Sequence, residues 1–440
     1  MRGNRVWVEL LGLEQAVIED VDLDEDTGVL IVSVRVPKRA SNRCGRCGRR
    51  CRPFDEGRGV RRWRALDLGS VRTYVQAAAP RVRCRDHAVV VAAVPWARHD
   101  AGHTYAFDEQ VAWLAVHTSR SAVAQLMRIA WRTVGAILER VADAAMAGVD
   151  RFAGLRRIGV DEISYKRGHK YLTVVVDHDS KRLVWAAPGR DKETLAGFFD
   201  ELDASGQTGI GADGQDLAKR STLITHVSAD GANWIGTVVA DRCPNAVRCA
   251  DPFHVVQWAG KALDEERRAS WNRARGAVGR RRAPRASGDA RSLKGARWAL
   301  WKNPEDLTEG QAAQLAWIAR TDQRLHRAYL LKEGLRIVFQ IARQDGPAAA
   351  DAALTRWIGW ARRCRIPAFV ALSRTIIKHR STIEATFEHG LSNGLIESTN
   401  TKIRLLTRVA FGFHSPAPLV SLAMMTLGGF CPPLPGRRDR

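Results

Sequence analysis

No stretch of this 440-residue chain carries the roughly 20 consecutive apolar residues that cross a bilayer. A membrane-spanning protein is therefore not expected. The start, Met1-Arg2-Gly3-Asn4-Arg5, is basic, but no continuous apolar core follows it, so a secretory leader is not expected either. Cysteine is scarce and unevenly placed: of eight, four lie between Cys44 and Cys84, and Cys243, Cys249, Cys364 and Cys431 are scattered. A secreted disulfide framework would be denser and its chain shorter. A reducing cytosol with one local metal site fits better. Acid is short as well: 47 Asp and Glu face 69 Lys and Arg, leaving a formal net charge of +22. That excess predicts a polyanionic partner, and without a membrane segment the better partner is nucleic acid. Repeats of fixed period are missing too. What is plentiful is apolar: hydrophobic residues make up 45% of the chain, which excludes a disordered tail. The length suffices for two or three domains.

The apolar pattern changes period along the chain. Up to about residue 40 it alternates, as in Val17-Ile18-Glu19-Asp20-Val21 and Val29-Leu30-Ile31-Val32-Ser33-Val34, which predicts a small antiparallel β unit. Further strands are expected around Arg72–Val75 and Arg81–Cys84. Three helices are expected over Phe107–His117, Ser121–Ile129 and Trp131–Met146, with Ser119 and Ser121 able to cap the second. Short helices so spaced resemble a helix-turn-helix. Strands then follow at Arg157–Ser164, Tyr171–Asp177, Leu183–Ala187, Thr222–Ser228 and Ala246–Ala250, with a helix over Leu195–Leu202. A three-strand meander followed by strands alternating with helices is an α/β layout. From about 253 to 390 the pattern is almost wholly helical and rich in tryptophan.

Cys44-Gly45-Arg46-Cys47 and Cys84-Arg85-Asp86-His87 are spaced as zinc-ligand pairs, because two intervening residues let a tight turn aim both ligands inward. A structural Zn²⁺ on Cys44, Cys47, Cys84 and His87 is expected, with Cys51 as the alternative to His87. On the helical segment, Arg128, Arg132 and Arg140 would face DNA. The stretch Arg267–Arg297 is dense in Lys and Arg, including Arg280, Arg281 and Arg282, and would add sequence-independent, salt-sensitive affinity.

Three acids stand out. Asp161 lies in a strand among Ile158, Val160 and Ile163, where a carboxylate is costly unless paired or metal-bound. Asp230 ends a second strand, before Gly231. Glu397 lies in an amphipathic helix, with Arg404 and Arg408 on its own face to hold phosphates. Two strand-borne aspartates and a helix-borne glutamate suit a pair of Mg²⁺ (or Mn²⁺) ions set about 3.5–4 Å apart for phosphodiester chemistry. Asp177, Asp179, Asp251, and Glu384 or Glu388 compete for the same role. Asp251 and His254 read as residues supporting the ligands from behind.

In this order, the cysteine pairs, the helix trio, Gly159-Val160-Asp161-Glu162, Ser228-Ala229-Asp230-Gly231, Ala250-Asp251-Pro252-Phe253-His254 and Ser392-Asn393-Gly394-Leu395-Ile396-Glu397-Ser398-Thr399-Asn400 resemble the DDE transposases of bacterial insertion sequences, in their zinc-finger-bearing ISL-type branch. The resemblance covers almost the whole chain. It departs at His87, where the family often has cysteine. It implies an α/β ribonuclease-H-like catalytic core with a large all-helical insertion, preceded by a β-rich zinc-binding unit and a helix-turn-helix. The expected divisions are 1–100 for the zinc unit, 101–150 for the helix-turn-helix, and 151–255 for the first part of the core. The insertion would then take 256–388, and 389–440 would complete the core and form the tail. The resemblance further implies Asp161, Asp230 and Glu397 as catalytic ligands, and binding to terminal inverted repeats. Cleavage and transfer into target DNA would follow, by a homodimer on paired ends in the cytoplasm, at the bacterial nucleoid. The rival expectation is a DNA-binding regulator, or a relic that has lost its chemistry.

Overall fold

The computed structural model describes every residue except Met1, Glu14, 207–218, 230–232, 277–292, Lys294 and 438–440. Its chain divides into two compact units, Met1–Arg151 with Arg404–Arg440, and Phe152–Ile403.

The first unit opens with helix α1 (Arg2–Leu11), where the sequence pattern had suggested only strands. Val6 and Leu10 are exposed on it, and Leu11, at its end, is buried. Strands β1 (Val17–Asp24) and β2 (Val29–Arg35) pair antiparallel, as the alternation predicts. Leu30, Val32 and Val34 turn inward at every second residue. The chain then forms β3 (Arg52–Asp55), β4 (Val60–Arg64), β5 (Arg72–Ala78), β6 (Arg81–Cys84) and β7 (Ala88–Val91). One sheet has the order β1-β2-β5-β4 and the other β3-β6-β7. Trp63 and Trp96 meet edge to face at 5.6 Å in the core beneath the first sheet.

Helices α2 (Tyr105–His117), α3 (Arg120–Leu126) and α4 (Trp131–Ala147) follow. Thr104 caps α2 by accepting the Phe107 N–H, and Ser119 caps α3 by accepting that of Ala122. The turn into α4 passes through Arg128 at φ 54°. Val134, Ile137, Leu138 and Val141 form the buried stripe of α4.

The second unit is built on the sheet β10-β9-β8-β11-β12. Strands β8 (Arg157–Lys166), β9 (Lys170–Asp177) and β10 (Leu183–Pro188) form an antiparallel meander. Helix α5 (Lys192–Ala204) leads to β11 (His226–Ala229), and α6 (Asn233–Arg242) leads to β12 (Val247–Ala250). Strand β11 runs parallel to both β8 and β12. It starts later than its sequence suggests, because a 3-10 turn occupies Arg220–Leu223. Ser221 is pinned there by Asp203, which accepts its N–H at 2.8 Å and its hydroxyl at 3.0 Å. Phe198 and Phe199 of α5 and Ile235 and Val239 of α6 pack with Ile158, Val160 and Val227 of the sheet.

The helical part contains α7 (Pro252–Gly276), α8 (Arg297–Trp301), α9 (Glu309–Thr321), α10 (Gln323–Gln344), α11 (Pro347–Arg363), α12 (Pro367–Lys378) and α13 (Arg380–His389). Their inward stripes meet in one apolar cluster that includes Leu263, Leu331, Leu354, Trp357 and Phe369. Helix α14 (Gly394–Val409) follows, and α15 (Ala417–Leu427) packs against α4 in the first unit. No described helix is long and apolar enough to cross a membrane.

Candidate active site and metal centre

The metal centre is local. Cys44 and Cys47 flank a tight turn in which Gly48, at φ 70°, donates its N–H to the Cys44 carbonyl at 2.8 Å. Gly45 sits so close to the Val91 carbonyl that a Cβ would come within 2.6 Å of it, so this position excludes a side chain. Cys84 ends β6 and His87 lies in the turn before β7. The four donor atoms of Cys44, Cys47, Cys84 and His87 all lie within 4.8 Å of one another. His87 Nδ1 is 3.7 Å from Cys44 Sγ and 3.6 Å from Cys84 Sγ, and the Cys47 and Cys84 sulfurs are 3.7 Å apart. A tetrahedron with zinc–sulfur bonds of about 2.3 Å has edges of about 3.8 Å, so spacing and donor chemistry both fit Zn²⁺. The hydrogen bond with His87 is the main cause pulling the Cys84 thiol down to about 6, toward the thiolate that a metal requires. Cys51 stands outside this group of four, its thiol directed at the Arg49 carbonyl at 3.3 Å.

The acid site is assembled from distant segments. In β8, Gly159 lets β9 and β11 close in: a Cβ there would lie 2.9 Å from Val176 and 3.1 Å from His178. His178 and the Ser228 hydroxyl are hydrogen-bonded at 2.8 Å behind it. Burial, then the nearby Arg157, push the His178 imidazole below its usual range and keep it neutral. Asp161, two residues beyond Gly159, accepts the Glu162 N–H at 2.8 Å and the Asn400 amide at 2.7 Å. Ala229, the last residue of β11, pairs with Val160, one residue before Asp161. Asp230, next in the chain, lies outside the described residues.

The bond from Asn400 brings α14 to the sheet. Glu397 precedes Asn400 by three residues on the same helix, shares its face and is exposed. The start of α14 is fixed by Asp251, which is almost wholly buried just after β12. One Asp251 oxygen accepts the Asn393 N–H at 3.1 Å; the other accepts the His254 N–H at 3.1 Å and meets His254 Nδ1 at 2.9 Å. Burial raises the Asp251 carboxyl, but these hydrogen bonds, led by that of the His254 ring, outweigh it and hold the group below the usual carboxylate range. Asp251 thus caps α7 and anchors α14 together.

The competing acids have other duties. Asp177 is a turn residue accepting from Asp179 and Ser180, and Asp179 pairs with Arg157. Glu384 pairs with Arg380 at 2.5 Å, and Glu388 lies 3.8 Å from His389. Asn400 and Asn393 are the site residues that sequence reasoning passed over. Their signal was present, since both sit in the segment that carries Glu397.

The expected DNA-facing arginines divide. Arg140 is engaged inside the fold, donating twice to the fully buried Asp108 at 2.9 and 3.0 Å. Arg128 pairs with Asp67 and donates to the Ser70 carbonyl at 3.0 Å. Each guanidinium is thus engaged with an acid on a neighbouring element and helps hold the domain together. Arg132, on the first turn of α4, is exposed, as are Arg404 and Arg408. Arg280, Arg281 and Arg282 lie outside the described residues.

Comparison with known proteins bears on each part of the chain. A family model described as a transposase matches residues 158–421. One for the helix-turn-helix domain of transposase family ISL3 matches residues 92–142. A third, for the zinc-finger of transposase IS204/IS1001/IS1096/IS1165, matches residues 40–87. The chain is 58% identical, over all of its length and 99% of the relative's, to the transposase for insertion sequence element IS1557 of Mycobacterium tuberculosis. It is 26% identical, over 94% of its length and 96% of the relative's, to the transposase for insertion sequence element IS1001 of Bordetella parapertussis.

Proposed function

The chain belongs to the ISL3 family of transposases, and from that premise we propose that it cuts the ends of an insertion sequence and joins them to new DNA through Asp161, Asp230 and Glu397. It is a DNA-binding transposase with a zinc-finger and a helix-turn-helix. The finer reading concerns which residues do the chemistry. Its chief support is the 2.7 Å hydrogen bond from Asn400 to Asp161, which sets the glutamate helix against the central strand across 239 residues of sequence.

The sheet order β10-β9-β8-β11-β12, with a meander followed by two parallel strands, supports a ribonuclease-H-like core, and α7 to α13 then form the helical insertion. The working division remains 1–100, 101–150, 151–255, 256–388 and 389–440. Asp161 and Glu397 are hard oxygen donors of the kind that Mg²⁺ or Mn²⁺ takes, and both are within the described residues. When bound, such ions activate the attacking oxygen and neutralise charge at the scissile phosphate.

The protein's own groups do the rest. Asn400 holds one oxygen of Asp161 and the Glu162 N–H holds the other, so the carboxylate is oriented before a metal arrives. Asp251 and His254 secure the first turn of α14, which limits the movement of Glu397. Arg132 is the helix-turn-helix arginine free to meet the terminal inverted repeat, while Arg128 and Arg140 brace the fold that presents it. Arg404 and Arg408 follow Glu397 at helical spacing and are exposed, so they suit phosphates of the bound strand. A homodimer would bring two ends together.

The test is strand cleavage, with Mg²⁺, of duplexes taken from the DNA that flanks the reading frame. Asp161→Ala, Asp230→Ala and Glu397→Ala should each retain binding and lose nicking. A residue whose alanine variant nicks at the wild-type rate leaves the site. A wild-type protein that shifts these duplexes and never nicks them would instead be a regulator or a relic. Light scattering that finds a monomer on paired ends would refute the dimer.

A further inference from the structure

Cys51 is the one thiol between Cys44 and Cys84 that stands outside the four zinc donors. It is nevertheless packed on them, against the cluster that Cys44, Val82, Cys84 and Val90 form. The sheet sets its place. Strands β3 and β6 pair antiparallel, with Arg52 opposite Arg83 and Pro53 opposite Val82. One step further along the same register, Cys51 falls opposite Cys84. Cross-strand neighbours have Cβ atoms about 4.5–5.5 Å apart and a disulfide about 3.5–4.5 Å, so a shift of about 1 Å suffices to join the two. Strand β3 is free to make it. It lies at the edge of the sheet β3-β6-β7, is exposed along its whole length, and already slips in register between Pro53 and Asp55. The Cys51 N–H is donated to the Asn42 carbonyl at 2.7 Å, not to β6.

The two sulfurs differ chemically. A zinc ligand is held as the thiolate, the form that attacks an oxidant. Cys51 donates its thiol to the Arg49 carbonyl at 3.3 Å, a bond that only the protonated sulfur makes. A thiolate oxidised beside a spare thiol passes to a disulfide before it reaches the irreversible acids. Cys47, whose sulfur is 3.7 Å from that of Cys84, is itself a zinc donor and offers no spare thiol.

We propose that Cys51 and Cys84 are a site of oxidative modification: peroxide joins them as a disulfide, and the zinc-finger gives up its metal. The Cys84 thiolate attacks hydrogen peroxide, the O–O bond breaks, and a sulfenic acid forms as hydroxide leaves. The Cys51 sulfur then displaces the sulfenic oxygen, which departs as water with the Cys51 thiol proton. The two sulfurs supply the two electrons that the peroxide gains. Cys44, Cys47 and His87 remain, one donor short of a closed tetrahedral set. Metal affinity is folding energy in such a unit, so residues 40–87 loosen and the hold on element ends lapses until a thiol reductant opens the disulfide. The proposal rests on the zinc-finger and not on the assignment of the acids.

The test uses the zinc-loaded full chain, hydrogen peroxide and a chromogenic zinc chelator. The wild type should release its zinc in step with disulfide formation. Peptide mapping, with free thiols alkylated before digestion, should find Cys51 joined to Cys84. Dithiothreitol with added zinc should restore the metal, and gel shift of element ends should weaken and recover in step. Cys51→Ser should bind zinc as the wild type does, lack the joined peptide, and keep its zinc at peroxide levels that empty the wild type. At higher peroxide its Cys84 should accumulate as sulfinic acid. Mapping of the wild type decides the matter if Cys51→Ser folds poorly.

Zinc lost equally readily by Cys51→Ser and the wild type overturns the proposal. So does a wild-type disulfide between Cys47 and Cys84 with Cys51 alkylated. A Cys51→Ser chain that binds no zinc, while His87→Ala binds it, makes Cys51 the fourth ligand and overturns it too. Unchanged gel shift after the zinc has gone overturns the link to end recognition. Zinc kept under peroxide removes the proposal alone, whereas a reduced wild type that holds no zinc removes the zinc-finger reading with it.

Discussion

The zinc-finger and the proposed acid site are assembled in opposite ways. All four zinc donors come from Cys44 to His87 and stand within 4.8 Å of one another, aimed by two tight turns on one small sheet. The acid site draws Asp161 from a central strand and Glu397 from a helix far along the chain, and a side-chain amide joins the two elements. A structural metal needs a closed set of soft donors and nothing more. A catalytic metal must leave positions for substrate, so its ligands are fewer, harder and more open, and the surrounding fold must orient them. The difference predicts where each site is vulnerable: the zinc-finger at its ligands, the acid site at its ligands and at the residues behind them.

The strongest way to break the comparison is Asp161→Ala. Cleavage of element ends should fall by about a thousandfold or more, as for other members of a catalytic unit, with duplex affinity unchanged by gel shift. Retained cleavage would remove Asp161 from the chemistry and dissolve the contrast. Next is Cys84→Ala. The protein should lose its bound zinc by elemental analysis, and residues 40–87 should become sensitive to protease, because metal affinity is folding energy for such a unit. End binding should fail, while nicking of a generic duplex at low salt should persist. If nicking stopped while binding continued, the zinc would be catalytic and the two sites would not differ as described.

A smaller effect sharpens the contrast. Asn400→Ala leaves every ligand in place and removes the amide that holds Asp161. Cleavage should fall about 10- to 100-fold, the usual cost of losing a group that orients a metal ligand, and raised Mn²⁺ should recover part of it. A purely structural Asn400 would lower thermal stability without that metal-dependent recovery. No equivalent residue should exist for the zinc-finger, whose turns do the orienting.

The smallest expected effect is on pH. His178 in the folded unit is held below its usual range by burial. A neutral buried imidazole contributes stability that is complete above the unfolded value of about 6.5 and is withdrawn as pH falls below it. Asp251 is held below the usual carboxylate range, so its contribution is complete above about 3.9 and is lost as pH falls further, through its lowered folded value. Denaturant midpoints for the unit that contains the acid site should therefore drop modestly from pH 7 to 5, and drop again below about 4. His178→Gln should flatten the first step and leave the second. An identical slope in that variant would show that His178 is not the group responsible.

Much of this was legible in the sequence, and the reason is local. The three-residue steps between zinc ligands, the N-cap Ser119 and the alternation of β2 are set by backbone geometry within a few residues. Glu397 and its companion arginines are likewise one helix face. What resisted reading were partnerships between elements. Arg140 and Arg132 look alike in sequence, but only the packing of α2 on α4 puts Asp108 beside one of them. Helix α1 was missed although its apolar residues recur at a helical period, because that segment was read together with the alternating strands that follow it.

By itself the amino-acid order determined most strands and helices of both units, the zinc-ligand pairs up to the choice between His87 and Cys51, the basic character that demands a polyanion, and which acids were candidates. Tertiary structure alone decided which partners those candidates take. It put Asn400 on Asp161, made Asp251 the anchor of the glutamate helix, and engaged Arg128 and Arg140 within the fold. The physical reason is range. Backbone sterics and hydrogen bonding act over three or four residues and repeat in sequence, whereas burial and side-chain pairing join groups hundreds of residues apart, and nothing periodic in the chain records that they will touch.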